Sequence, residues 1–294
     1  MTAVEEVEFG ALVEAGAGRA PQETIGLAEL MDTLGLDVVS LADHPYQPER
    51  LDTVALLAAM AARTERIKVM PNLLNLPLRP PPLIARTAAT LDIVSGGRFE
   101  LGLAAGAQQM WGSIRAEGGP ERNAGQSIEA LQEAVHIIRA LWSSEDDVEF
   151  EGRHYRLAGA KPGPRPVHPI GIWLGAYRPR MLRVVGAIGD GWIPSSPYLP
   201  PEALPDANRI IDEAALAAGR SPADVRRGYN VEGRFGTGSG FLQGPAAAWA
   251  EQLADLALDQ RIGTFFLHRV GTADTLRRFA EEVVPATRAL LAAA

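Results

Sequence analysis

The sequence predicts an α/β chain folded as a single (β/α)8 TIM barrel with loop insertions. Three observations carry this expectation. Eight short apolar runs alternate with segments whose apolar residues recur at helical spacing. Most of the runs are continuously apolar, as strands buried on both faces of a parallel sheet must be. The 294 residues accommodate eight such units with room for insertions, since the fold takes about 250. A doubly wound open sheet fits the same alternation and is the competing architecture. No linker, internal repeat or low-complexity tract divides the chain, so residues 1–294 are expected to form one domain.

Each element has its own local cause. The first strand is Val7 to Val13. The helix after it carries Leu27, Leu30 and Leu34 on one face and closes at Gly35. The second strand, Asp37 to Ala42, ends at Asp43, His44 and Pro45. Asp52 is placed to cap the next helix, which runs to Thr64. Ile67 to Met70 make strand three. Pro80 to Pro82 open a helix with Ile84, Ala88, Leu91 and Val94 on one stripe, and Ser95-Gly96-Gly97 ends it. Strand four is Phe99 to Ala104, followed by a helix with Ile128, Leu131, Val135 and Ile138. The stretch from Val148 to His168 is rich in glycine and proline and reads as a long excursion. Strand five is Ile170 to Leu174 and strand six is Gly191 to Ile193. A helix from Pro201 to Ala218 leads to strand seven, Arg227 to Arg234. The helix from Pro245 carries Trp249, Leu253 and Leu256. Strand eight is Thr264 to Leu267, and Leu276, Phe279, Val283 and Leu290 line the last helix.

Composition removes several function classes. A formal charge of −8 with no run of Lys or Arg argues against nucleic acid and against anionic membranes as partners. Cysteine is absent, so there is no disulfide framework, thiol nucleophile or Cys-ligated metal. The acidic start, Met1 to Glu6, lacks the basic and apolar regions of a signal peptide. The longest apolar run, Val54 to Ala62, is about half a membrane span. The expected setting is the cytoplasm. That same run is apolar all round, whereas a helix covering a barrel needs one apolar stripe. Either a second copy of the chain covers its outer face, making a homodimer, or the helix is alanine-rich with modest exposure.

In a barrel the site lies at the C-terminal strand ends. These ends supply Glu14, His44, Asn72 with Asn75, Gly106 to Gln109, Gly175 to Arg178, Ser195 with Ser196, Arg234 and His268. The five histidines show no metal-ligand spacing, so no metal is expected. No G-x-S-x-G elbow supports a hydrolase. From Trp173 to Arg180 a strand ends in small residues and Pro179 starts a helix. This aims free N–H groups and a helix dipole at one spot flanked by Arg178 and Arg180. It reads as a phosphate cradle or as an ordinary tight turn. Gly236 to Gly240 lacks nucleotide-binding spacing and reads as a flexible loop. His44 reads equally as a packed histidine or a reacting group, and Asp43 as a hydrogen-bond acceptor rather than a base.

Several stretches then combine: Leu34 to His44, Ala61 to Ile67, Asn75 to Arg79, and Ala88 to Leu103 with its Ser95-Gly96-Gly97-Arg98-Phe99. Trp173 to Gly175, Gly189 to Trp192, and Leu276 to Val283 continue the series. Together they resemble the bacterial luciferase-like family of flavin- or deazaflavin-dependent oxidoreductases, in order and along essentially the whole chain. The resemblance implies a TIM barrel with a flavin-type ring at the strand C-termini. It implies a cis peptide in a bulge of strand three, here at Asn72–Leu73, that supports the ring from behind. It implies cofactor contacts at Asp43, Asn72, Leu73, Asn75, Gly106, Ala107, Gly175, Ala176, Tyr177 and Arg178, the last four taking the phosphate. His44 matches a histidine that lies near the reacting ring in deazaflavin-dependent members.

Two departures matter. Sugar-phosphate dehydrogenases of the family carry a glutamate acid where this chain has Ala107, and their usual His-Pro is replaced by Pro80-Pro81. Both disfavour a polyanionic substrate. The resulting expectation is coenzyme F420 (the deazaflavin) as cofactor, acting on a small-molecule substrate. The alternative is an FMN-dependent monooxygenase fed by a separate flavin reductase. A non-catalytic flavin-binding protein is the reading from another class.

Overall fold

The computed structural model describes residues 7–16, 18–270 and 272–294. Residues 1–6, on which the expectation about export rests, lie outside them. The predicted alternation is present throughout. The strands are β1 (Glu8–Val13), β2 (Val38–Leu41), β3 in two pieces (Lys68–Pro71 and Leu74–Asn75), β4 (Leu101–Ala104), β5 (Ile172–Leu174), β6 (Gly191–Trp192), β7 (Arg226–Val231) and β8 (Thr264–Leu267). All pair in parallel and in sequence order, with β1 against β8. The first piece of β3 pairs with β2 and the second with β4, and a bridge from Val69 to Phe99 completes the contact. The open-sheet alternative is therefore excluded. The break in β3 falls at Asn72 and Leu73, and the peptide between them is cis, as expected.

Around the barrel lie α1 (Pro21–Thr33), α2 (Thr53–Arg63), α3 (Pro81–Ser95), α4 (Ala124–Ser143), α5 (Pro179–Ile188), α6 (Leu204–Ala217) and α7 (Ala246–Gln260). The last helix, α8, runs through Ala273–Arg278, a π-helical turn Phe279–Val283, and Val284–Ala293. The local signals act as read. Asp52 accepts the Ala55 N–H at 2.9 Å, capping α2. Gly96 takes a left-handed conformation (φ 68°) that ends α3. This frees Arg98 to reach back to the carbonyls of Ala61, Thr64 and Ile67, at 2.8, 3.0 and 2.7 Å. The Ser95-to-Phe99 phrase is thus a brace on the open end of α2.

Two expectations shift. Strand seven stops at Val231, and Arg234 belongs to a separate short ladder, Arg234–Phe235 against Gln243–Gly244. The turn from Gly236 to Gly240 is exposed, but that ladder and the stack of Phe235 on Trp249 (4.2 Å) anchor its ends. The excursion from Val148 contains an antiparallel hairpin, Val148–Glu151 with Arg156–Ala160. Fully buried Asp92 ties its far end to α3 by accepting from Val167 N and His168 N at 2.7 and 3.2 Å, with His168 Nδ1 2.5 Å away.

Val38, Met70, Trp173, Ile193 and Phe266 form a buried cluster inside the barrel, against which Leu73 packs. Trp173 is the largest of these, and Gly191 makes room for it. A Cβ at 191 would lie 2.1 Å from the indole. At the opposite end from the site, buried Glu100 accepts from Trp173 Nε1 at 3.0 Å and from both terminal nitrogens of Arg226 at 3.1 and 2.9 Å. The barrel is therefore a plugged core, with chemistry confined to its other mouth.

Candidate functional site

The break in β3 shapes the mouth. Asp43, at the end of β2, is buried, and its carboxylate accepts from Asn75 N at 2.8 Å and from Arg79 at 2.5 and 3.2 Å. Arg79 also reaches Asp52 at 2.8 Å. Asp43 thus holds the chain as it re-enters β3 after the bulge, the acceptor role expected of it. The Leu73 side chain runs towards β4 and β5. Added Cβ atoms at Gly102 and Gly175 would lie 2.7 and 2.5 Å from its methyl carbons. Glycine at both positions lets Leu73 sit under the mouth.

A polar chain crosses from there. Asn72 Nδ2 donates to Asn230 Oδ1 at 2.7 Å, and Asn230 Nδ2 donates to Asn72 Oδ1 at 3.2 Å and to Ser195 Oγ at 3.0 Å. Sequence reasoning missed Asn230. Its strand already carries Arg226 and Arg227, so a further polar residue gave no signal. Asn72 has its amide committed to this pair, so its side chain positions the bulge. Asn75 differs. It is buried, and its Oδ1 has no hydrogen-bond donor. An orphaned buried acceptor at the bulge is costly unless a donor arrives. The isoalloxazine and deazaflavin rings both offer such a donor in their pyrimidine N–H, so Asn75 fits either cofactor.

His44 stands half-buried beside these residues. Tyr46 Oη meets its Nδ1 at 2.9 Å, a partner that sequence reasoning missed. Burial first, then the charge of Arg50, lower the His44 pKa, and Asp43 opposes them. The ring is therefore neutral at neutral pH and able to accept a proton.

Gly106 takes φ 87° after β4, and Ala107 beside it is exposed. Gly175 and buried Ala176 follow β5. The exposed Arg178 is the N-cap of α5, Pro179 occupies the first turn, and no side chain caps the helix. Its dipole and amides are thus available to an anion. Arg180 is instead drawn 3.5 Å from Glu129. Tyr177 is 39% exposed, its ring set edge-on to that of Tyr198 at 5.7 Å. Ser196 Oγ accepts from Glu232 N at 3.2 Å. Arg234 is exposed on the ladder beyond β7. Among the described residues no group of three His, Asp or Glu is arranged to hold a metal ion.

The strand break and the polar mouth define a parallel barrel with its candidate site at the C-terminal strand ends. Residues 7–232 match the family described as luciferase-like monooxygenase. The chain belongs to that family. It is 27% identical over 270 residues to the F420-dependent glucose-6-phosphate dehydrogenase of Amycolatopsis mediterranei (strain U-32), covering 90% of this chain and 78% of that one. Its fold matches an F420-dependent secondary alcohol dehydrogenase solved with an F420–acetone adduct. The TM-score there is 0.81 at 18% identity, over 96% of this chain and 99% of that one. It also matches the monooxygenase RslO1 from Streptomyces bottropensis, with a TM-score of 0.77 at 22% identity, over 95% and 99%.

Proposed function

We propose that this barrel is an oxidoreductase using coenzyme F420 for hydride transfer to or from a small organic substrate. The observation that carries the reading is His44: a neutral, half-buried imidazole oriented by Tyr46 beside the broken strand. The relative named as F420-dependent supports the choice of cofactor. The deazaflavin supplies two-electron hydride chemistry when bound. Asn75 and the bulge backbone at Asn72 and Leu73 would hold the ring edge with Asp43 positioning them, Gly106 and Ala107 its neighbouring rim, and Gly175 to Arg178 the phosphate. With Nδ1 occupied by Tyr46, His44 Nε2 is left to take or give the proton on a substrate oxygen.

The family description and RslO1 support a second reading, an FMN-dependent monooxygenase supplied by a separate reductase. The non-catalytic reading is tested by His44→Ala. A loss of turnover with cofactor affinity kept supports the enzyme, whereas turnover unchanged by the substitution contradicts the role of His44.

The same reading includes one barrel domain per chain and a homodimer through α2 and α3. Leu83 and Val94, 53% and 67% exposed, project from α3 beside a largely apolar hollow of about 210 Å³ between α2, α3 and β3. Ala55 and Ala62 face outward from α2. One face that carries both knobs and a hollow suits a self-complementary two-fold contact.

A further inference from the structure

The proposed cofactor contacts fall on consecutive strands, from the end of β2 to the end of β5. The remaining arc, at the ends of β7, β8 and β1, carries Glu232, His268 and Glu14. His268 follows β8 directly, and its N–H donates to the Val231 carbonyl at 2.8 Å. This brings its ring Nδ1 to 2.9 Å from Glu232 Oε1. Arg269 Nε lies 3.2 Å from the same oxygen, so that guanidinium is already countered. Glu14 directly follows β1, which pairs with β8, so it sits at the strand end next to His268.

Neither lysine of the chain reaches this arc. The chain has two lysines, Lys68 and Lys161. Lys68 pairs with Glu8 at the N-terminal end of the barrel strands, at 2.6 Å. Lys161 pairs with Asp147 on the hairpin side, also at 2.6 Å.

We propose that the arc formed by Glu232, His268 and Glu14 is the substrate subsite, and that its two carboxylates select hydroxyl or carbonyl compounds carrying no phosphate. The inference rests on the hydride-transfer reading and makes it specific. In the oxidative direction His44 would take the proton of the substrate hydroxyl, and the bound deazaflavin would supply the two-electron acceptor for the carbinol hydride, leaving a carbonyl. His268, whose Nδ1 lies close to Glu232, presents its other ring nitrogen to the substrate's polar groups. A phosphate dianion in this arc would face two carboxylates in a half-buried setting, a like-charge arrangement that binding sites use for rejection.

The test uses the full chain loaded with F420. Binding is first established by cofactor fluorescence, and failure at this step contradicts the cofactor reading. F420 reduction is then followed with 2-butanol, cyclohexanol, glycerol, glycerol 3-phosphate, glucose and glucose 6-phosphate. At least one uncharged alcohol is expected to turn over, with each phosphate ester about tenfold or more below its parent in kcat/KM. A preferred phosphate ester, or bound F420 with no turnover of any uncharged alcohol, overturns the proposal. Calorimetric titration of glucose 6-phosphate into the cofactor-free protein gives a second readout. Glu232→Gln removes a negative charge and unmasks Arg269. It should raise affinity about threefold or more at low salt and less at about 0.5 M salt. An affinity unchanged in both Glu232→Gln and Glu14→Gln contradicts the charge argument.

Discussion

His44 concentrates the chemistry of the mouth in one ring whose state is fixed by its surroundings. Burial holds its pKa below the usual 6.5, so the neutral form persists into mildly acid solution. A base must be deprotonated to act. The rate of substrate oxidation is therefore expected to rise with pH along a limb below 6.5 and to level off at neutrality, as read from kcat/KM profiles. His44→Ala should lower kcat by about 10² to 10⁴ while leaving the cofactor dissociation constant nearly unchanged. Asp43 is a different kind of residue. Its carboxylate joins Arg79 to the backbone of Asn75. Asp43→Ala should cost about 3 kcal/mol in urea unfolding, because it strands a largely buried guanidinium, though Asp52 remains as a partner. Position at strand ends was enough to mark His44, Asp43 and Asn75 in the sequence. It could not mark Asn230, which meets Asn72 across the mouth from 158 residues away. Nor could it mark Glu232, whose partner His268 arrives on the next strand.

The elements were legible because their causes are local. Asp52 as cap and Gly96 as stop each work within a few residues, and the structure uses both as read. Helical periodicity placed the helices but not every face: α1 buries Thr24, Ala28 and Met31 rather than the leucine stripe, and Val94 and Leu290 lie 67% and 41% exposed instead of on buried stripes. The hairpin from Val148 was not legible, because its strands are short, with Gly152 just after the first and Gly159 within the second, and its ties run to distant Asp92 and Glu133. The bulge in β3 is the element on which the site depends, and its fit to β4 is close. A Cβ at Gly102 would lie 2.1 Å from the Pro71 carbonyl oxygen. Gly102→Ala should therefore destabilise the fold by about 1–3 kcal/mol and weaken cofactor binding with it, since backbone cannot yield as a side chain can. Gly175→Ala meets only the movable end of Leu73. It should lower cofactor affinity with a smaller loss of stability, measured by titration and unfolding on the same preparation.

For the molecule as a whole, the net charge of −8 sets the problem of holding an anionic cofactor. On the proposed reading the open N-terminus of α5 with Arg178 would be a local answer, because helix ends supply positive potential without changing the global charge. The outer face of α3 sets another problem, and a double Leu83→Arg, Val94→Arg variant is expected to elute as a monomer where the unaltered chain elutes as a dimer. Equal elution of the two would remove the proposed interface. The most direct test of the central claim is a paired fluorescence titration of the purified chain with F420 and with FMN, repeated on Asn75→Ala. The expectation is saturable F420 binding at least about tenfold tighter than FMN, weakened by the substitution, which removes a buried acceptor at the bulge that has no donor of its own. Tight FMN binding with no measurable affinity for F420 would contradict it.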